Sequence, residues 1–287
     1  MHLNLSSFCL WMLLGSSVVT TVLADTKLTY TDSGFGPQDR KTVIQINGDK
    51  IRMEEAGSGI YSLYDDSKKV LYTVNTKTKQ YIETTPEKIR TRMLKLAETH
   101  NKLKEDMQKQ IAQLPEAQRK VAQARMAEAE AAMQAPPPAI KLEKTQRTDT
   151  INGLPCTIST ISMADKPVRD VCVATGEPIP TADEKRLVTM FEFMDTIAAE
   201  SAKAQGYIPP NEGSATLHKN GLALRIQSLP TGPRSELTQI GKEELNDADF
   251  NIPADFAMFE PADTQVPSQE KTPSSSQPAA SAPAPVK

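Results

Sequence analysis

Between Asp25 and Thr85 apolar residues recur at every second position and are interrupted by turn residues every few steps. That pattern constrains the fold more than any other feature of the chain. "KTVIQI" leads through Asn47-Gly48-Asp49 into "KIRMEE", and Asn-Gly between two alternating runs is the strongest short hairpin signal a sequence offers. "GIYSLY" passes through Asp65-Asp66-Ser67 into "KVLYTV", and Asn75-Thr76-Lys77 turns into "QYIET". With "KLTYT" at the start, these runs predict six short strands in an antiparallel meander. Because strand side chains alternate in direction, Val70, Tyr72 and Val74 share one face and are expected to lie on the buried side of the sheet.

At Thr85-Pro86 the period changes from two to three and four. Thr85 can cap a helix, Pro86 suits its first position, and Glu87 its first turn. Ile89, Met93, Leu96, His100, Leu103, Met107 and Leu114 form one apolar stripe on a charged, coiled-coil-like helix of about 28 residues, roughly 42 Å long. Leu114-Pro115 breaks it, since proline removes a donor and collides with the preceding turn. A second helix follows with a narrower stripe of Ala122, Met126, Ala129 and Met133, ended by Pro136-Pro137-Pro138. The segment 86–134 therefore reads as a helical hairpin, or one kinked helix, inserted between strands. Its Met row is expected to be packing surface rather than a row of metal ligands.

Strands resume with "IKLEKTQRTDT". Thr181-Ala182-Asp183-Glu184 opens another helix, whose Leu187, Val188, Phe191, Met194 and Ile197 face the core and for which Gly206 is a stop. A closing hairpin turns at Pro230-Thr231-Gly232-Pro233, and "DADFNIPADFAMFEP" brings Phe250, Ile252, Phe256 and Phe259 as apolar anchors. Residues 25–260 are read as one domain. From 261 to 287 there are six prolines in 27 residues and almost no apolar bulk, so the tail is expected to be disordered.

Residues 1–24 contain no Asp, Glu, Lys or Arg, and small residues precede Asp25. This predicts a signal peptide cleaved after Ala24 and a periplasmic location. The continuous apolar run is far shorter than the roughly 20 residues needed to span a bilayer. Removing the leader leaves 263 residues and a net charge of −3 with both signs mixed, which excludes a nucleic-acid binder.

In an exported chain the remaining pair of cysteines, Cys156 and Cys172, is expected to be a disulfide. They flank Ala164 almost symmetrically, so a hairpin turning there sets them nearly opposite each other. Fifteen intervening residues exclude a redox CxxC, and no neighbouring Cys or His completes a zinc site. Closing a loop of that length stabilises by roughly 3 kcal/mol. Val171 and Val173 point opposite to Cys172, and the pattern leaves open which face is buried.

No catalytic constellation appears. GxSxG is absent, "GSGIYS" lacks the Lys-Ser/Thr ending of a phosphate loop, and His100 and His218 have no partners at metal-site spacing. Neither enzymatic activity nor a cofactor is expected.

The segments "INGDKIRME", "YSLYDDSKKVLYTVNTKTKQYIE", "AQLPEAQR", "INGLPCTIS…VCVA" and "FNIPADFAMFEP" together resemble an uncharacterised family of exported bacterial proteins. That family is catalogued as a domain of unknown function and grouped with the periplasmic lipoprotein-localisation factors. The resemblance covers residues 25–260 and implies an α+β fold. Its sheet would be a curved, unclosed antiparallel half-barrel, with helices over the concave side. In better-known relatives that concavity takes up lipoprotein acyl chains. The resemblance thus implies a binding or scaffold protein with a hydrophobic groove for a lipid or lipoprotein, and it carries over no functional residue. From the strand and helix patterns, Val70, Tyr72, Val74, Phe191 and Met194 would line that groove or form plain core. The long charged insertion and the sparse aromatics, 5% of residues, depart from those relatives. Two further readings stand beside it: an envelope assembly protein whose 86–134 helices contact a partner, and a hydrolase with a dispersed site.

Overall fold

The computed structural model describes residues 25–134, 139–204 and 218–260. The expected leader (1–24), the prolines at 136–138, the stop at Gly206 and the tail (261–287) lie outside them.

The six predicted strands form as β1 (Asp25–Ser33), β2 (Arg40–Asn47), β3 (Lys50–Glu55), β4 (Ile60–Asp65), β5 (Val70–Asn75) and β6 (Gln80–Thr84). Two helices follow, α1 (Pro86–Ala112) and α2 (Glu116–Gln134). The second half holds β7 (Ile140–Ile151), β8 (Leu154–Met163), β9 (Lys166–Ala174), α3 (Thr181–Ala204), β10 (Ala223–Ser228) and β11 (Arg234–Glu243). A 3-10 turn at Asp247–Phe250 and a two-residue strand, β12 (Ala257–Met258), complete the chain.

All twelve strands belong to one curved, unclosed sheet in the order β12-β6-β5-β4-β3-β2-β1-β11-β10-β9-β8-β7. Every pairing is antiparallel except that of β12 with β6. Two meanders are thus joined at their inner strands, where β1 pairs with β11 from Asp25↔Glu243 to Ser33↔Arg234. The chain leaves the first meander at β6, crosses through α1 and α2, and re-enters at β7, the far edge. The helical insertion therefore connects opposite sides of the open sheet.

Helix α3 packs on the inner face. Leu187, Met190 and Phe193 are buried against Leu28, Ile46, Ile51 and Tyr64 from the first meander and Ile158, Leu222 and Leu237 from the second. Phe193 meets the Tyr64 ring with centroids 5.2 Å apart. The outer face is also apolar in two places. Tyr61, Leu63 and Val74 lie beneath Phe250, and Ile161, Val171, Val173 and Ala223 form a separate cluster.

Cys156 and Cys172 face the inner core, with their sulfurs 2.02 Å apart and Cα atoms 5.4 Å apart. They are not directly opposed: Cys156 pairs with Ala174 and Cys172 with Ile158. The turn is centred between Ala164 and Asp165 rather than on Ala164, and an irregularity between Ile161 and Ser162 shifts the register by one residue more, so the sulfurs meet along a diagonal. Val171 and Val173 are buried on the outer face, so β9 is covered on both sides.

Candidate functional site

The concave side of the sheet is the first place to look for a ligand groove, and α3 occupies it. The start of α3 is tied down by a buried polar pair: Thr26 Oγ1 donates to Asp183 Oδ2 at 2.6 Å, while Arg186 donates to Asp183 Oδ1 at 2.7 Å. Beyond α3 the same face turns polar. Register places Arg225 opposite Cys172, and Asp149 opposite Cys156, so both point inward. Arg225 donates to Asp149 at 2.7 Å, and Arg147 grips both oxygens of Asp170 at 2.9 Å. Thr160 Oγ1 adds a third donor to Asp170 at 2.7 Å. The Arg147 guanidinium, and then Thr160, hold the Asp170 carboxyl below its ordinary pKa. The Thr150 amide and Arg225 do the same for Asp149. A cavity of about 530 Å³ here is lined by the ion-paired Asp170 and Arg225, by Gln227 and Arg234, and by the turn residues Pro230 to Gly232.

The five residues expected to line one groove do not come together. Phe191 and Met194 lie half-buried against the inner cluster. Tyr72 and Val74 belong to the outer cluster under Phe250, and Val70, two residues before Tyr72 in the same strand, shares that outer face. The alternation of β5 correctly groups its three residues, but α3 covers the other side.

The apolar groove lies in the insertion. Thr85 Oγ1 accepts from the Lys88 amide at 3.1 Å and caps α1, with Pro86 as the first helical residue. The N-terminal part of α1 docks on α3 through Arg90–Glu200 (2.9 Å) and a bond from Ser201 Oγ to Met93 Sδ (3.6 Å). Farther along, α1 leaves the body, and no residue of it is fully buried. At Leu114-Pro115 the chain turns into α2, and Lys104 and Glu130 bridge the two helices at 2.7 Å. Near the turn, Met107, Ile111, Val121, Ala122 and Met126 enclose an open groove of about 680 Å³, with Gln118 and Arg125 as its polar lining. Leu96, Leu103, Met107 and Val121 are 39%, 47%, 43% and 55% exposed. The sequence stripe names Met107 and Met126 correctly. Ile111, four residues after Met107, fits the stripe's spacing although the stripe as read passes over it, and Val121 lies one residue off the second stripe.

His100, expected on the packed stripe, is exposed. Phe259, expected as an anchor, is 44% exposed. His218 stacks on Phe191 at 3.9 Å, and burial pushes its pKa down to about 4. Among the described residues no cluster of three His, Cys, Asp or Glu side chains is arranged to hold a metal.

A family model described as a domain of unknown function, DUF4412, matches residues 74–256, from the end of β5 to the C-terminal segment. No curated protein matches the chain. Among solved structures the chain is similar to an uncharacterized conserved protein from Thermus thermophilus. Identity is 6% and the TM-score 0.38, over 83% of this chain and 91% of that one. It is similar to a chain of the MucA/MucB complex from Pseudomonas aeruginosa (11%, 0.35, 81% and 56%). It is also similar to a LolA superfamily protein from Nitrosomonas europaea (7%, 0.25, 79% and 89%).

Proposed function

The chain belongs to the DUF4412 family, and from that premise we propose that it is a non-enzymatic binding or scaffold protein of the periplasm whose α1–α2 arm carries the contact surface. The observation behind this reading is the distribution of apolar surface. The concave face is filled by Leu187, Met190 and Phe193 and ends in ion pairs, whereas the arm presents an apolar groove continuous with Leu96 and Leu103. The occupant we assign to it is an amphipathic helix of an envelope protein. A row from Leu96 to Ile111 spans roughly 22 Å at 1.5 Å per residue, about four turns of a partner helix. Methionines at both walls suit an adaptable contact, and flanking residues of both signs (Lys104, Glu105, Asp106, Lys109) suit a mixed-charge partner. The paired cysteines support an oxidising compartment.

Acyl-chain carriage is the second reading. It would use the same groove, with Arg125 facing a lipid phosphate or a lipoprotein's acidic residue. Two exposed-site variants, Met107→Glu and Val121→Glu, test the site without disturbing the core. Loss of partner co-purification from crosslinked envelopes, with unchanged thermal unfolding, supports the helix-binding reading. Loss of a bound lipid in native mass spectrometry instead supports the lipid reading. Retention of both partner and lipid sinks the assignment of the groove. Turnover in a broad hydrolase screen would overturn the non-enzymatic premise.

A further inference from the structure

The outer face of β4–β6 carries an apolar, aromatic-rich trough, and the chain's own segment 245–259 fills it. Phe250 enters as a buried anchor, Ile252 and Phe256 lie half-buried, and the remaining residues from Asn246 to Glu260 are exposed. The main chain of this segment is held by side chains and by a sheet edge. Lys50 Nζ donates to Phe250 O and Arg52 to Asp249 O, each at 3.0 Å. The amides of Ala257 and Phe259 donate to Lys79 O at 3.0 Å and to Tyr81 O at 2.7 Å. An aromatic anchor in a pocket, combined with main-chain bonds to an edge strand, is how sheets recognise extended peptides from other molecules. The segment also sits at the rim of the sheet. Only two of its residues pair as β12, so it can leave without breaking a ladder between any other strands.

Charge points the same way. The segment and the adjoining Glu260 carry four acids, Asp247, Asp249, Asp255 and Glu260, and no basic residue; the receiving surface presents Lys50, Arg52 and Lys79, with Lys79 paired to Asp255 at 2.7 Å and Arg52 also paired to its neighbour Glu54 at 2.6 Å. We infer that this trough is a peptide-recognition surface held closed in cis. It takes an acidic segment of another exported polypeptide, turned at its first anchor as Asp247–Phe250 is and extended only where it pairs with β6, with the same anchor pattern: an aromatic residue, an aliphatic one two positions on, then proline, then an aromatic three positions later. Proline disfavours the helical region for the residue before it, here Ile252 ahead of Pro253. This surface is on the opposite side of the sheet from α3 and does not depend on the groove in the arm.

The test uses the full chain and a fluorescent peptide of residues 245–260 as probe. Phe250→Ala in the chain weakens the cis segment, so the variant should bind the probe about 100-fold more tightly than the unaltered chain. A probe carrying Phe250→Ala should not bind. A folded variant with no saturable binding overturns the proposal. So does a concentration-dependent dimer of the full chain that the probe dissolves, because the occupant is then a second copy. If Phe250→Ala does not fold, hydrogen exchange on the unaltered protein decides. Exchange of the Ala257 and Phe259 amides by local opening, well ahead of the β1–β2 amides, supports a detachable segment. Exchange only through global unfolding sinks it.

Discussion

His218 lies flat on Phe191, with ring centroids 3.9 Å apart and planes within 4° of parallel. Phe191 belongs to α3 and packs against the inner core, so the imidazole lies half-buried between the helix and the entry to β10. Burial favours the neutral ring and lowers its pKa to about 4, and the Asp195 charge only partly opposes this. In the unfolded chain the ring titrates near its ordinary 6.5, so between those values the unfolded state binds more protons. Stability from this site is fully present above pH 6.5 and is lost as pH falls toward 4. The loss is at most about 3 kcal/mol for a shift of that size, less where solvent screens the half-buried ring. Subtracting the pH–stability curve of His218→Gln from that of the parent, by urea unfolding, should isolate this sloping component. A difference curve flat from pH 7 to 4 would refute it.

The staple between β8 and β9 makes a separate prediction. Denatured, unreduced protein lacking residues 1–24, and so lacking Cys9, should show no free thiol, and Cys156→Ser/Cys172→Ser should lose roughly 3 kcal/mol of stability. Both sulfurs are buried under α3, so reduction of the folded protein should be slow without denaturant. Two titratable thiols in that chain would return the pair to redox or metal chemistry.

The turn of the same hairpin is strained by its residue types. Ala164 and Asp165 have φ of 51° and 60°, and both lie in the left-handed region that Asn and Gly occupy more cheaply. Ala164→Asn should raise stability by about 1 kcal/mol, visible as a Tm increase of about 2–4 °C for a chain of this size. A decrease would show that the turn's contacts outweigh its backbone preference.

Truncating Phe193, which joins α3 to Tyr64 and the inner sheet, should cost about 3–5 kcal/mol in chemical denaturation. Truncating Leu103 on the arm, 47% exposed, should cost under about 0.5 kcal/mol. Equal costs would mean that the arm is part of the core.

The meander was legible because Asn47-Gly48, Asp65-Asp66 and Asn75-Thr76 name their turns locally. The cap at Thr85 and the break at Leu114-Pro115 were legible for the same reason. What stayed hidden depends on contacts far apart in sequence. The period of β5 groups Val70, Tyr72 and Val74, but it does not reveal that Phe250 covers them while α3 covers Leu71 and Tyr64 on the reverse. Symmetry about Ala164 places Cys156 near Cys172, yet a turn centred between Ala164 and Asp165 and an irregularity at Ile161/Ser162 together move the match to a diagonal. The polar end of the concave face was equally invisible. Arg225 and Asp149 are far apart in the chain, and only the pairing of β7 to β10 through β8 and β9 brings them together.

Because β6 and β7 stand on opposite flanks of the open sheet, the insertion ties those flanks together along the chain, while β1 and β11 join the two meanders by hydrogen bonds at the middle.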